Sequence, residues 1–587
     1  MYNEYEIRPM PLSLPHCRKQ VEMFLADNGL RLDDVDYYAC VFRLGDDEQI
    51  LAGGGLKGRV IKCIAVDDKL REEGFSSRLI SHLMSEANQQ GHDSISVFTK
   101  PANRDIFETM GFHLIAKAPQ AILLEYGSGL REYCHYLSGQ RRLGRSGVIV
   151  MNANPFTLGH RYLIEQAAKQ VEWLHVMVVS EDRSLFSYSE RLEMVRRGTA
   201  DLLNVNVIEG SEYAVSATTF PTYFLKQLSD ATDTQILLDL DLFAHFIAPH
   251  LGISVRFVGT EPTDLLTARY NEMMKEILQG RGYDVVEIER KNDNGISISA
   301  SRVRTMLSEG CLQDAITLCP QTTMPFLLSL LAVQALHQEL DTTPKPGLVD
   351  RHDSGAHNDM DYALMSKSIK VLRPWFTKMA LTSVDYKDAV PEKLRELGIE
   401  AEKAMLDATN GVNTYRGALF SMGLTLAAAI IELSTGTSSN AIRKESLQQR
   451  IAQLAHFFKT PNNTHGSTIR PNGSTRGAVA SAQEGYDSLF NAWLPYYRSL
   501  HDDHYRNHKL LLKIISELDD TNIVFRAGEE KAQEVKHLAK GVLNDFSIEG
   551  IAELNKQFIC DNISPGGAAD MLGLTIFAND ICQKKEN

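Results

Sequence analysis

The apolar periodicity of this chain changes once, near Pro325, and that change limits what the chain can fold into. Before it, short apolar runs alternate with runs of helical spacing. Tyr37–Arg43, Gln49–Gly54, Val60–Val66 and Ser94–Thr99 have strand character. Between them Leu79, Ile80, Leu83, Met84 and Ala87 recur at helical spacing over Ser76–Gln90, which Gly91 stops. With a short helix over Arg104–Met110, this predicts an α+β domain at 1–126. The segment 127–145 carries Gly127-Ser128-Gly129 and a basic run and reads as a linker. Then Ser146–Met151, Leu174–Val179, Gln235–Asp239 and Val255–Gly259 alternate with helices over His160–Gln170 and Glu190–Asp201. That rhythm predicts a doubly wound α/β domain with a parallel sheet at 146–315. From 322 to 587 the strand signal is gone, and seven helically spaced segments predict an all-α domain. The fold class is therefore multidomain: α+β, then α/β, then all-α.

Charge and cysteine content bound the function. The 587 residues hold 61 basic and 75 acidic side chains, a net charge of −14, which argues against nucleic acid as the main partner. The eight cysteines form no C-x-x-C pair, so reduced thiols in a cytoplasm are expected. The most apolar run, Ala418–Leu433, is short and broken by Ser421, Gly423 and Thr425; it predicts a buried helix and no membrane span.

In the first domain Arg71, Gly74 and Ser76 follow a strand and open a helix, where backbone N–H groups can cradle a pyrophosphate. This R-x-x-G-x-S loop, with Phe107-Glu108-Thr109-Met110-Gly111-Phe112 after it, resembles the GNAT acetyltransferase family. The resemblance implies a GNAT-like domain with Arg71, Gly74 and Ser76 as coenzyme A contacts.

In the second domain Asn154-Pro155-Phe156-Thr157-Leu158-Gly159-His160 follows the first buried strand and opens a helix. Thr157 can bond a phosphate at the helix start, Gly159 lets a nucleotide approach, and His160 can donate to an α-phosphate oxygen as charge builds there. The T-x-G-H pattern, with Ile298-Ser299-Ala300-Ser301-Arg302-Val303-Arg304 downstream, resembles the two signatures of the nucleotidylyl transferase superfamily. The finer phrases Asp239-Leu240-Asp241-Leu242-Phe243 and Phe257-Val258-Gly259-Thr260-Glu261-Pro262 resemble the citrate lyase ligase family. That resemblance implies an enzyme that uses ATP and acetate to acetylate the prosthetic-group thiol of the citrate lyase acyl carrier protein, releasing AMP and pyrophosphate. It implies ATP contacts from Asn154, Phe156, Thr157, Gly159, His160, Gly259, Thr260, Glu261, Ser299, Ser301 and Arg304, with His160 and Thr157 catalytic. Arg191 either reaches phosphate or lies on a solvated helix face.

In the third domain polar loops separate the helices. Asp350, Asp359, Asp520 and Asp570 offer oxygen ligands for Mg2+, and Lys345, Arg351, Arg416, Arg476 and Arg526 offer charge for a triphosphate. The phrases T-P-K-P-G-L-V-D-R, G-V-N-T, D-T-N and S-P-G-G-A-A-D resemble the triphosphoribosyl-dephospho-coenzyme A synthase family. The implied reaction joins ATP to dephospho-CoA and expels adenine, with Asp350, Asp359 and Asp520 as candidate catalytic carboxylates. The expected whole is a bifunctional enzyme of citrate lyase maturation, with Arg141, Arg142 and Arg145 as the patch meeting the carrier. A plain nucleotidylyl transferase acting on a phosphopantetheine-like substrate and a coenzyme A-binding scaffold are the competing expectations.

Overall fold

A computed structural model describes residues 5–45, 49–67, 74–180, 184–213, 228–261, 264–386, 389–435, 441–458 and 477–582. The chain divides into two compact units, 1–154 with 159–298, and 155–158 with 299–587.

The first unit holds two large sheets. The seven-stranded sheet is built from β1 (Tyr5–Pro9), β2 (Tyr37–Arg43), β3 (Ala52–Lys57), β4 (Val60–Val66), β5 (Ile95–Thr99), β6 (His113–Lys117) and β7 (Ile122–Tyr126), in the order β1-β2-β3-β4-β5-β7-β6. All neighbours are antiparallel except β4 and β5, which run parallel and pair only at Val60–Ile61 with Ser96–Val97. The helix Phe75–Gln89 covers one face through Leu79, Ile80, Leu83 and Ala87.

The five-stranded sheet is wholly parallel: β8 (Ser146–Met151), β9 (Trp173–Val178), β10 (Val205–Glu209), β11 (Ile253–Gly259) and β12 (Asp284–Ile288), ordered β10-β9-β8-β11-β12. The chain starts at the centre, winds out to β10, then returns to build β11 and β12 on the other side. The reversal between β8 and β11 is the switch point, where open parallel sheets bind ligands at their carboxyl ends.

The two sheets of this unit share one apolar core, which includes Cys40 and Leu123 from the first and Val148, Met177 and Ile208 from the second. The segment 127–145 contributes to it: Gly129–Gln140 is a helix that buries Leu130, Cys134 and Leu137. Fully buried Glu125 accepts the Leu130 N–H at 3.0 Å, the Ser94 hydroxyl at 2.7 Å and Arg59 at 3.1 Å. The expected strand Gln235–Asp239 is instead part of the helix Leu228–Leu242. Its alternating Ile-Leu-Leu-Asp-Leu-Asp-Leu pattern suits a half-buried strand, yet Asp241 is buried on tertiary partners. Asp241 accepts the Lys117 N–H at 2.9 Å and Arg281 at 2.6 Å.

The second unit is helical. Its central helix Met324–Asp341 packs on Tyr362–Asp385 and Gly566–Ile581, and Arg416–Thr435 packs on Tyr362–Asp385 and Gly566–Ile581 as well. Arg416–Thr435 is long and apolar enough to cross a membrane by composition. Here it is a core helix, with Ser421, Met422, Thr425, Leu426 and Ala427 buried.

Candidate active sites

The switch point of the parallel sheet gathers several expected residues. His160 lies in the first turn of the helix Leu158–Ala168 that follows β8, and Gly259-Thr260-Glu261 leaves the end of β11. Arg290, just after β12, ties this loop down. Its Nε donates to the Thr260 carbonyl at 2.6 Å, its backbone N–H reaches the Thr260 hydroxyl at 3.3 Å, and its guanidinium pairs with Glu261. Asn271 donates to the Gly259 carbonyl at 3.0 Å. Burial, then the Arg290 charge, push His160 down to about 4. A neutral imidazole at pH 7 carries one N–H, so it can donate a hydrogen bond without bringing a proton to exchange. Arg290 went unnoticed in the sequence because it sits 130 positions from His160, in no recognised phrase.

The Asn154 Oδ1 accepts the Phe186 N–H at 3.3 Å. Arg191 neither reaches for phosphate nor lies on a solvated face. It is fully buried and donates to the carbonyls of Phe186, Asn152 and Val179 at 3.2, 2.8 and 2.7 Å, holding the loops beyond β8 and β9. Gly74 adopts a left-handed φ of +76° and opens the helix Phe75–Gln89 that contains Ser76; Arg71 lies outside the described residues.

The other residues expected to contact ATP in this domain belong to the second unit. There Phe156 and Thr157 are buried, the Phe156 carbonyl accepts the Thr323 hydroxyl at 3.0 Å, and the Leu158 N–H donates to the Leu318 carbonyl at 2.9 Å. Ser299 caps the helix Ala300–Ser308 by accepting the Arg302 N–H at 3.2 Å. Arg304 donates to the Ser301 hydroxyl at 3.1 Å.

The helical unit encloses a cavity of about 1300 Å³ whose wall includes Lys345, Asp359, Arg416, Asp520, Arg526 and Asp570. Asp359, Arg416 and Arg526 are exposed, whereas Lys345 and Asp520 are buried. The charged groups are largely spent on the fold. Asp350 accepts three backbone N–H groups, those of Lys345, His352 and Asp353. Asp520 accepts those of Asn522 at 2.8 Å and Ala568 at 3.1 Å. Buried Lys345 pairs with buried Glu339 at 2.5 Å. Arg351 pairs with Asp341 at 2.8 Å, Arg416 with Glu402, and Arg526 donates to the Ala356 carbonyl at 3.2 Å. Arg476 lies outside the described residues.

These carboxylates do not fit a resident magnesium. Among the described residues no three His, Cys, Asp or Glu side chains converge as a ligand set, and the oxygens of Asp350 and Asp520 already accept N–H groups.

Comparison with known proteins finds two families in the chain. Residues 146–327 match the family described as citrate lyase ligase C-terminal domain, and residues 326–587 match ATP:dephospho-CoA triphosphoribosyl transferase. The citrate pro-3S-lyase ligase of Klebsiella pneumoniae is 42% identical over 321 residues, 53% of this chain and 93% of the relative. That of Escherichia coli is 39% identical over 321 residues, covering 90% of the relative. A probable 2-(5″-triphosphoribosyl)-3′-dephosphocoenzyme-A synthase of Pseudomonas fluorescens is 35% identical over 281 residues, 46% of this chain and 96% of the relative. The chain thus belongs to the citrate lyase ligase family through its front half and to the triphosphoribosyl-dephospho-coenzyme A synthase family through its back half, two enzymes joined in one polypeptide.

Proposed function

We propose that the chain carries out two steps of citrate lyase maturation. The front half activates acetate with ATP and passes the acetyl group to the prosthetic-group thiol of the citrate lyase acyl carrier protein. The back half joins ATP to dephospho-CoA at the ribose 2′-hydroxyl and releases adenine. The observation that carries the first step is the place of His160, in the first turn of the helix that follows β8 at the switch point of a parallel sheet, where burial and the Arg290 charge push its pKa down to about 4. In that step an acetate oxygen attacks the α-phosphorus and pyrophosphate leaves. The imidazole N–H donates to the α-phosphate oxygen on which charge builds, an arrangement that acts by fixed dipoles rather than proton transfer. The thiol then attacks the acetyl carbonyl and AMP departs.

On this reading the parallel domain is of the nucleotidylyl transferase type, and Thr157, Ser299, Ser301 and Arg304 keep the phosphate-binding roles their signatures imply. The seven-stranded domain is GNAT-like. Two features support that: the parting of β4 from β5 after two residue pairs, and left-handed Gly74 at the head of the next helix. Gly74 and Ser76 are its coenzyme A contacts, and the enzyme works in the cytoplasm. The test is product analysis with MgATP. Acetate plus carrier thiol should yield AMP and pyrophosphate, and dephospho-CoA should yield free adenine; acetate-independent pyrophosphate would favour plain nucleotidylyl transfer instead.

A further inference from the structure

One end of the cavity in the helical unit differs from the rest. Its wall there is made by Tyr415, Tyr486 and Asp570. Each tyrosine is only 3% exposed, and among the described residues neither hydroxyl has a hydrogen-bond partner. Buried polar groups are almost always satisfied, so two orphaned hydroxyls on one cavity wall point to a ligand that satisfies them. Tyr486 also holds a left-handed φ of +53°, an unfavourable conformation for a residue with a side chain and one that gathers at ligand sites. The Asp570 carboxyl enters beside the head of the helix Arg416–Thr435, where the Ala418 N–H donates to it. A Cβ at position 417 would lie 1.9 Å from Asp570 Oδ2, so Gly417 is the residue that lets the carboxyl in.

The charges around this end decide what it accepts. Asp570 faces Glu339 on Met324–Asp341 and Asp520 at the head of Thr521–Asn544; Tyr415 faces Glu339, Asp570, Tyr362 and Asp341. The Lys345 ammonium is spent on Glu339. Burial first, and then Glu339 and Asp520, push Asp570 well above the ordinary carboxylate range. A carboxyl whose pKa is raised this way holds its proton more readily and can serve as a proton donor. The exposed side chains of Arg395, Arg416 and Arg526 also line the cavity, with Arg416 turned to Glu402. A triphosphate belongs with those cations. Among the described residues the wall at Tyr415, Tyr486 and Asp570 offers two unpaired hydroxyls and a carboxyl, and the Lys345 ammonium is paired, which suits an uncharged heterocycle.

We infer that this buried end receives the purine base of ATP, that the Tyr415 and Tyr486 hydroxyls bond its ring edge, and that Asp570 supplies the proton with which adenine departs. The inference rests on the back half being the adenine-releasing synthase. In the step, the 2′-oxygen of dephospho-CoA bonds to C1′ of the ATP ribose and the C1′–N9 bond breaks, its electron pair passing to the purine. The Asp570 proton goes to a purine ring nitrogen. The proton of the attacking hydroxyl passes to water, and water reprotonates Asp570.

The test uses the full chain with MgATP and dephospho-CoA. It compares ATP with a ribose triphosphate bearing 4-nitrophenolate at C1′, a leaving group that needs no proton. Asp570→Asn should lower kcat on ATP by about 100-fold or more, while turnover of the nitrophenyl substrate stays within about threefold. Tyr415→Phe and Tyr486→Phe should each raise the KM for ATP by about tenfold without lowering the melting temperature, because each deletes a hydroxyl that the fold does not use. Those two variants keep the test decisive if Asp570→Asn folds poorly. Equal losses on both substrates for Asp570→Asn, or phenylalanine variants with unchanged KM, would overturn the assignment. If the unaltered chain released no adenine from ATP and dephospho-CoA, the synthase reading would fail and this assignment with it.

Discussion

His160 and Asp570 both have their protonation set by burial, in opposite senses. Desolvation disfavours the charged form, so it lowers the imidazole's pKa and raises the carboxyl's. At the parallel sheet this makes a donor whose state does not change across the physiological range. An ordinary histidine would titrate near pH 6.5, whereas His160 gains a proton only as pH falls to about 4. Acetate-dependent AMP formation should therefore be level between about pH 5 and 8 as far as this group is concerned. A break near pH 6.5 that vanishes in His160→Gln would show instead that the imidazole titrates normally. Replacing His160 by alanine should cost about 10²–10³ in kcat for acetate activation, the usual loss when one fixed donor to a developing anion is removed.

Within the elements, buried charge is where stability is most exposed. Lys345 and Glu339 are almost wholly enclosed and satisfy each other across the end of Met324–Asp341. Lys345→Met alone strands the carboxylate and should destabilise the helical unit by about 3–5 kcal/mol in urea unfolding, while adding Glu339→Leu should recover most of the loss. If the double variant were no better than the single one, the cost would lie in packing rather than charge. His175, fully buried on β9, is likewise held at about 4, by burial and then by Arg142. Its folded pKa lies below its unfolded one, so the unfolded chain binds more protons between about pH 6.5 and 4. The stability from keeping this ring neutral is complete above that window and lost as pH falls through it. His175→Asn should flatten that part of the urea-midpoint profile.

The sequence made the strands β2, β4, β8 and β11 legible because their apolar runs are β-branched or aromatic and end at turns. It misassigned Gln235–Asp239 because the partners that bury Asp241, the Lys117 N–H and Arg281, lie 124 and 40 residues away. The same distance hid the roles of Arg290 and Asp570. Asp350 and Asp520 were expected as catalytic and metal-binding carboxylates, and in the fold both accept backbone N–H groups. Yet a carboxylate that caps backbone N–H groups looks, in one dimension, like one that holds a metal.

At the scale of the molecule, the change of periodicity near Pro325 marks a change of chemistry, since one family match ends at 327 and the other begins at 326. The net charge of −14 sets a docking problem if the carrier is acidic. Arg141 is exposed, and Arg142 lies half-buried over the Trp173 ring at 5.6 Å. Arg141→Glu with Arg142→Glu should slow acetylation of the carrier by about tenfold at low salt and by less at high salt, with acetylation of a small thiol unchanged. Equal slowing of both thiols would place the defect in the chemistry rather than in docking.

The most direct test is the product profile of the full-length His160→Ala chain supplied with MgATP, acetate, carrier thiol and dephospho-CoA together. Two independent catalytic centres predict that AMP and pyrophosphate nearly disappear while adenine is released at the rate of the unaltered chain. Undiminished acetate-dependent AMP, or a parallel fall in adenine, would contradict them.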